Sequence, residues 1–119
     1  MSSDHPHQKR YLSKNNNNIL RLESIRQAFP NALIIVPFRD PAQHAISLFR
    51  LHTQFSVTLE MGSFDYKYME WLGHHEFGAL HRPFQFGDCY HVKAQDHHPE
   101  NINYWLALWI NTYRYLLDT

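Results

Sequence analysis

The chain is poor in four features that would each point to a function class. It holds a single cysteine, Cys89, in 119 residues, which excludes an internal disulfide and agrees with a reducing compartment. It has only four glycines, Gly62, Gly73, Gly78 and Gly87. None of them stands in a strand–loop–helix opening, so no glycine-rich phosphate loop can be read. Charge of one sign is missing as well, since eleven basic and eleven acidic side chains cancel. That balance leaves no general field for nucleic acid or an acidic membrane, and neither is expected as a partner. The longest wholly apolar run, Tyr104 to Ile110, falls far short of the about 20 residues that cross a bilayer. The first residues are polar and histidine-rich, without the apolar centre of a targeting signal. Together these features predict a soluble, cytoplasmic chain of at most one domain with a modest core.

What is present is concentrated between Tyr11 and Phe55. Leu33 to Phe38 (LIIVPF) is a short apolar run rich in β-branched residues, and Arg39, Asp40 and Pro41 follow at once. The pattern predicts a buried parallel-type strand ending at a helix start. Asp40 is placed to cap that helix and Pro41 suits its first turn, where a missing N–H costs nothing. Along the helix, Gln43, Ser47, Arg50 and Gln54 recur at spacings of four, three and four, drawing one polar stripe. Arg39 at the strand end and Ser47 two turns along could grip one phosphate from two sides. The plainer alternative is a surface charge and a solvated serine. Upstream, Tyr11 to Ser13 is a short strand candidate that delivers Lys14. Ile19 to Phe29 is a helix whose Leu22, Ile25 and Phe29 share a core face, closed by Pro30.

This order of landmarks, Lys14, Phe29-Pro30, Arg39-Asp40-Pro41 and Ser47, resembles the sulfotransferase superfamily, especially its bacterial and carbohydrate-type branches. These enzymes use 3′-phosphoadenosine 5′-phosphosulfate. The resemblance covers about the first half of the chain well and the rest loosely. It implies that Arg39 and Ser47 hold the 3′-phosphate and that Lys14 lies beside the transferring sulfuryl group. It also implies a nucleotide-binding domain of α/β class, with a three-layer, parallel-sheet architecture. Two departures stand out. No loop before Tyr11 can cradle the 5′-phosphosulfate, so the chain reads as a partial, truncated domain lacking its first βα unit. Where relatives carry a histidine two positions after the lysine, or a glutamate just before it, this chain has Asn16 and Ser13. Neither is a competent base near neutral pH. Asn16 can orient the acceptor or the transferring group, while His44, His52 and residues of the second half are the candidates for a base. An asparagine of the Asn15 to Asn18 run could instead cap the following helix.

Beyond Phe55 local patterns must serve. Ser63 to Leu72 predicts a helix closed by Gly73, with Phe64, Tyr68, Trp71 and Leu72 on one side, read as core with a substrate cleft as the alternative. An irregular polar connection follows. Asn101 to Leu117 predicts a last helix, with Trp105, Leu106, Trp109, Tyr113 and Leu116 on a wide face that needs burial. Ten histidines invite a metal hypothesis, but His74, His75, Glu76, His81, Cys89, His91, His97 and His98 match no ligand spacing. No metal site is expected.

The expectation is therefore a flexible arm over residues 1–9 and, over 10–119, a partial sulfotransferase-like domain with extra C-terminal helices. Its reaction would move a sulfuryl group from 3′-phosphoadenosine 5′-phosphosulfate, the co-substrate, to a hydroxyl or amine of a small-molecule or carbohydrate acceptor. Lys14 and Asn16 are the catalytic candidates; Arg39 and Ser47 are the nucleotide-binding ones. A catalytically silent nucleotide-binding remnant and a helical interaction module are the alternatives. Apolar faces left open at both margins favour self-association.

Overall fold

The chain's architecture, given by a computed structural model that describes residues 10–58, 62–90 and 98–119, is helical. A 3-10 segment, Asn16–Arg21, runs into α1, Leu22–Ala28, followed by α2, Pro41–Thr58, and α3, Phe64–Leu72. A short 3-10 turn, Asp88–Tyr90, precedes α4, Ile102–Asp118. The predicted arm, residues 1–9, lies outside the described residues.

The first 3-10 segment and the helices α2, α3 and α4 each begin with a local side-chain signal, whereas α1 continues from the 3-10 segment without a side-chain cap. Asn15 accepts from the Asn17 N–H at 2.8 Å and caps the first 3-10 segment, so the capping alternative holds for this asparagine. At α2 the Asp40 carboxylate accepts from the Gln43 N–H at 2.9 Å, and Pro41 takes the first helical position. Ser63 Oγ accepts from the Tyr66 N–H at 3.2 Å to open α3, and Asn101 Oδ1 accepts from the Asn103 N–H at 2.9 Å to open α4. Gly73 ends α3 at φ 68°, a left-handed conformation that frees its N–H to reach the Glu70 and Met69 carbonyls.

α2 packs along α4. Ala45 on α2 meets Tyr104 and Trp105 on α4, with Leu48, Phe49, Phe77 and Leu106 around them. Trp105 is wholly buried, and its indole N–H donates to the Pro99 carbonyl at 2.8 Å, so its one polar atom is satisfied. The small Ala45 side chain lets the indole close on the α2 backbone. Two histidines complete this core. His52 lies 5.1 Å from Trp105 between ring centroids and accepts from the Gly78 N–H at 3.1 Å. His81 lies 4.7 Å from Trp105, donates through Nδ1 to the His75 carbonyl at 3.0 Å and accepts at Nε2 from the Tyr104 hydroxyl at 2.6 Å. Gly78 must be small here: at φ 83° a Cβ would stand 3.1 Å from Phe55 Cβ.

The expected α/β parallel sheet is absent; the described residues contain no strand. Tyr11 to Ser13 and Leu33 to Phe38 both have irregular backbone. A strand exists only through a neighbouring ladder, and among the described residues neither run pairs with another chain segment. Pro37 also removes a donor from within the second run. Leu33, Ile35 and Phe38 are accordingly exposed. That segment is instead tied to α4 at its end. The Tyr113 hydroxyl donates to the Pro37 carbonyl at 2.7 Å, and the Phe38 ring stands edge-on to Trp109 and Tyr113 at 5.7 and 5.5 Å. The helix expected over Ile19 to Phe29 is shorter, and of its expected core face Leu22 is buried, Ile25 half-buried and Phe29 exposed. The α3 face expected in the core is also on the surface, with Phe64 and Trp71 about four-fifths exposed and Tyr68 and Leu72 exposed as well.

Because one indole fills the α2–α4 contact, Trp105→Ala should cost about 3–5 kcal/mol. Urea unfolding followed by helical circular dichroism would measure this. An unchanged midpoint would contradict the central place given to the indole.

Candidate functional site

The polar stripe of α2 faces away from Trp105. Ala45 lies two residues before Ser47, about 200° around the helix, so burying one side turns the other outward. On that outer side Arg39, Gln43, Ser47, Arg50 and Gln54 line one open groove of about 430 Å³, with Ile46 and Leu51 as its apolar walls. Arg39 enters from the segment before the helix, where the Pro37 and Phe38 contacts with α4 hold the chain. Ser47 is half-buried in the groove floor and Arg50 follows one turn later. Cα–Cβ bonds tilt toward a helix's N-terminus, so the Arg50 side chain sets out toward the turn that bears Ser47.

The groove is electrostatically one-sided. Two guanidiniums line it with no carboxylate among the lining residues, and among the described residues neither is ion-paired. The nearest acid in sequence, Asp40, is occupied by the helix cap. Two guanidiniums without an ion pair among the described residues, beside the Ser47 hydroxyl and the Gln43 amide, have the chemistry to receive a phosphate or sulfate group through paired N–H donors.

Lys14 and Asn16 are not part of the groove lining. Lys14 is exposed, and among the described residues it makes no hydrogen bond or ion pair. Asn16 Nδ2 donates to Glu76 Oε1 at 3.0 Å, across sixty positions of sequence. Glu76 Oε2 in turn meets His74 Nδ1 at 3.3 Å. Burial pushes the Glu76 carboxyl up, but hydrogen bonds from Asn16, a backbone N–H and His74 outweigh it and hold the group below the usual carboxylate range. Sequence patterns place Glu76 and His74 only among loose ligand candidates, because nothing local marks a contact of that range.

The two named candidates for a base within α2 are differently employed. His52 is in the core, and its Nδ1 lone pair is taken by Gly78. His44 is half-buried with Nδ1 shielded and unpartnered. Burial, then the nearby Arg39 charge, lowers its pKa. His91 and His97 lie outside the described residues.

The sequence model described as the sulfotransferase family matches residues 1–102. The chain belongs to the sulfotransferase family. Comparison with curated proteins and with solved structures gave no match. The matched span contains Lys14, Asn16, the Arg39 to Gln54 groove and the His74–Glu76 pair, so a sulfotransferase-like function is attached to the part of the chain that carries these groups. No helix among the described residues is long and apolar enough to cross a membrane.

Three imidazoles titrate unfavourably in this fold. Burial is the first cause lowering the pKa of His44, His52 and His81 from 6.5. Each folded imidazole therefore binds its proton less readily than its unfolded counterpart, and the unfolded state takes up more protons as pH falls. Their contribution is whole above pH 6.5 and is lost as the pH drops through that value toward the lowered folded ones. The urea midpoint should be lower at pH 5.5 than at pH 7.5, and His81→Asn should reduce the difference. Equal midpoints would mean that these rings are not held neutral by packing.

Proposed function

We propose that this sulfotransferase-family chain transfers a sulfuryl group from 3′-phosphoadenosine 5′-phosphosulfate to a hydroxyl or amine acceptor. In this reading Arg39 and Ser47 bind the 3′-phosphate, the arginine by paired N–H donors and the serine by its hydroxyl. Lys14 stands near the reacting sulfur, where an ammonium stabilises the negative charge that gathers on the leaving phosphate oxygen. Asn16 orients the groups around it. Sulfuryl transfer asks little covalent chemistry of a protein, as phosphoryl transfer does, so placement and charge carry most of the catalysis.

The observation that carries the reading is the shared groove: Arg39 and Ser47 line the same concave surface, with no acid among its lining residues. A buried or acid-paired Arg39 would have left it without an anion to bind. The exposed, unpaired Lys14 is compatible with a cation that meets a ligand. The acceptor is proposed to be a small molecule or a carbohydrate.

Calorimetric titration with adenosine 3′,5′-bisphosphate tests the nucleotide half. Saturable binding is expected, weakened about 10- to 100-fold by Arg39→Ala and about fivefold by Ser47→Ala, from the usual strengths of charged and neutral hydrogen bonds. A folded chain that does not bind the bisphosphate would overturn the proposal. Supplying 3′-phosphoadenosine 5′-phosphosulfate with hydroxyl acceptors tests the transfer half. Binding without any sulfated product would reduce the function to nucleotide binding alone.

A further inference from the structure

Transfer to a hydroxyl releases a proton, and Lys14 and Asn16 cannot take it: an ammonium at neutral pH is already protonated and an amide does not titrate. The geometry points to His74 as the group that takes the acceptor's proton, oriented by Glu76, which Asn16 holds in place. This inference rests on the sulfuryl-transfer reading and adds the catalytic residue which that reading lacks.

Three observations carry it. Asn16 is two residues from Lys14, so its Cα lies at most about 7 Å from the lysine's, and its side chain ends on the Glu76 carboxylate at 3.0 Å. The second carboxylate oxygen lies 3.3 Å from His74 Nδ1. A carboxylate accepts only, so Nδ1 carries the hydrogen and the basic lone pair sits on Nε2. Among the described residues Nε2 has no partner, and the His74 side chain is half exposed while Glu76 is three-quarters covered. A fixed carboxylate behind a reachable imidazole is the arrangement that makes histidine a general base. What sets His74 apart from its neighbours is the carboxylate behind its ring: His75 donates to a neutral carbonyl instead, and His81 has no free nitrogen. His75 Nδ1 meets the Leu80 carbonyl at 3.1 Å, and both nitrogens of His81 are engaged in the core. The charge facing His74 is that of Glu76, which also acts on His81.

The step balances as written. The acceptor oxygen forms its bond to sulfur as its hydrogen passes to His74 Nε2. The bond from sulfur to the 5′-phosphate oxygen breaks with its electron pair, and adenosine 3′,5′-bisphosphate leaves. Glu76 stabilises the imidazolium that results, and solvent removes the proton afterwards.

The test uses the full chain with 3′-phosphoadenosine 5′-phosphosulfate and three acceptors: phenol, glucosamine and a glucosamine-containing oligosaccharide. His74→Ala should lower kcat about 100-fold, abolish the acid limb of the pH–rate profile and leave affinity for the bisphosphate unchanged. Added imidazole should restore part of the rate, which a merely structural role would not allow. Glu76→Gln should lower kcat about tenfold with an unchanged KM. Wild-type turnover in His74→Ala would overturn the assignment, and so would a loss that imidazole does not relieve. A wild-type chain that binds the bisphosphate but sulfates none of the three acceptors overturns the transfer reading, and the base with it; that result is distinct from an active chain indifferent to His74.

Discussion

The burial of Trp105 between α2 and α4 is the contact on which the rest of the molecule depends. It is the side chain removed completely from water, and it sets the rotation of α2 by requiring Ala45 beneath it and His52 alongside. Positions seven apart share a helix face, and the polar stripe falls on the other. The groove is thus a consequence of core packing: turning Ala45 and His52 inward leaves Gln43, Ser47 and Arg50 no place but the surface. α4 contributes at the other end of the contact as well. Its Trp109 and Tyr113 grip Phe38 and Pro37, which fixes the point where Arg39 begins.

The core is unusual in relying on neutral imidazoles for its packing. His52 and His81 flank the indole with every nitrogen that meets protein assigned a hydrogen-bond role. Tyr104 supplies the donor that His81 Nε2 needs, and burial drives its phenol pKa up to about 12, so it remains a donor across the whole working range. The result is a polar chain running Tyr104 to His81 to the His75 carbonyl. It ties the loop that bears His74 and Glu76 to α4. The same tryptophan contact that orients the groove therefore also steadies the loop on the far side of α2.

How much of this was legible in the sequence follows from the range of each interaction. The start of α2 was written in Asp40 and Pro41, the end of α3 in Gly73 and the start of α4 in Asn101, because a cap is decided within three or four residues. The groove stripe was legible for the same reason, since helical periodicity alone brings Gln43, Ser47, Arg50 and Gln54 together. The sheet was misread because a β-branched run records a preference for burial, while a strand needs a partner that the run itself does not specify. Leu33 to Phe38 has the composition and lacks a partner among the described residues, and Pro37 removes a donor from any ladder it could join. The aromatic stripe of α3 misled in the opposite sense. Its periodicity correctly gave a helix, but periodicity names a face without naming what covers it. The Asn16 to Glu76 contact left no trace at all, as sixty intervening positions separate two ordinary polar residues.

The groove and the Glu76–His74 pair share no residue, and that imposes a requirement on any ligand that would use both. The groove lies on the outer face of α2, while Glu76 is next to Phe77, which packs at the inner one. An anion bound in the groove would need the guanidiniums unpaired and wet, since a carboxylate close by would compete for them. The Glu76–His74 pair needs the reverse: an anion close at hand and enough cover to keep the hydrogen bond directed. Placing both on one face would set Glu76 against Arg39 and Arg50 and quench each by ion pairing. Keeping Glu76 out of the groove lining preserves both, and the segment from Lys14 to Asn16 already reaches the pair through the Asn16 amide, with the Lys14 ammonium unpaired among the described residues.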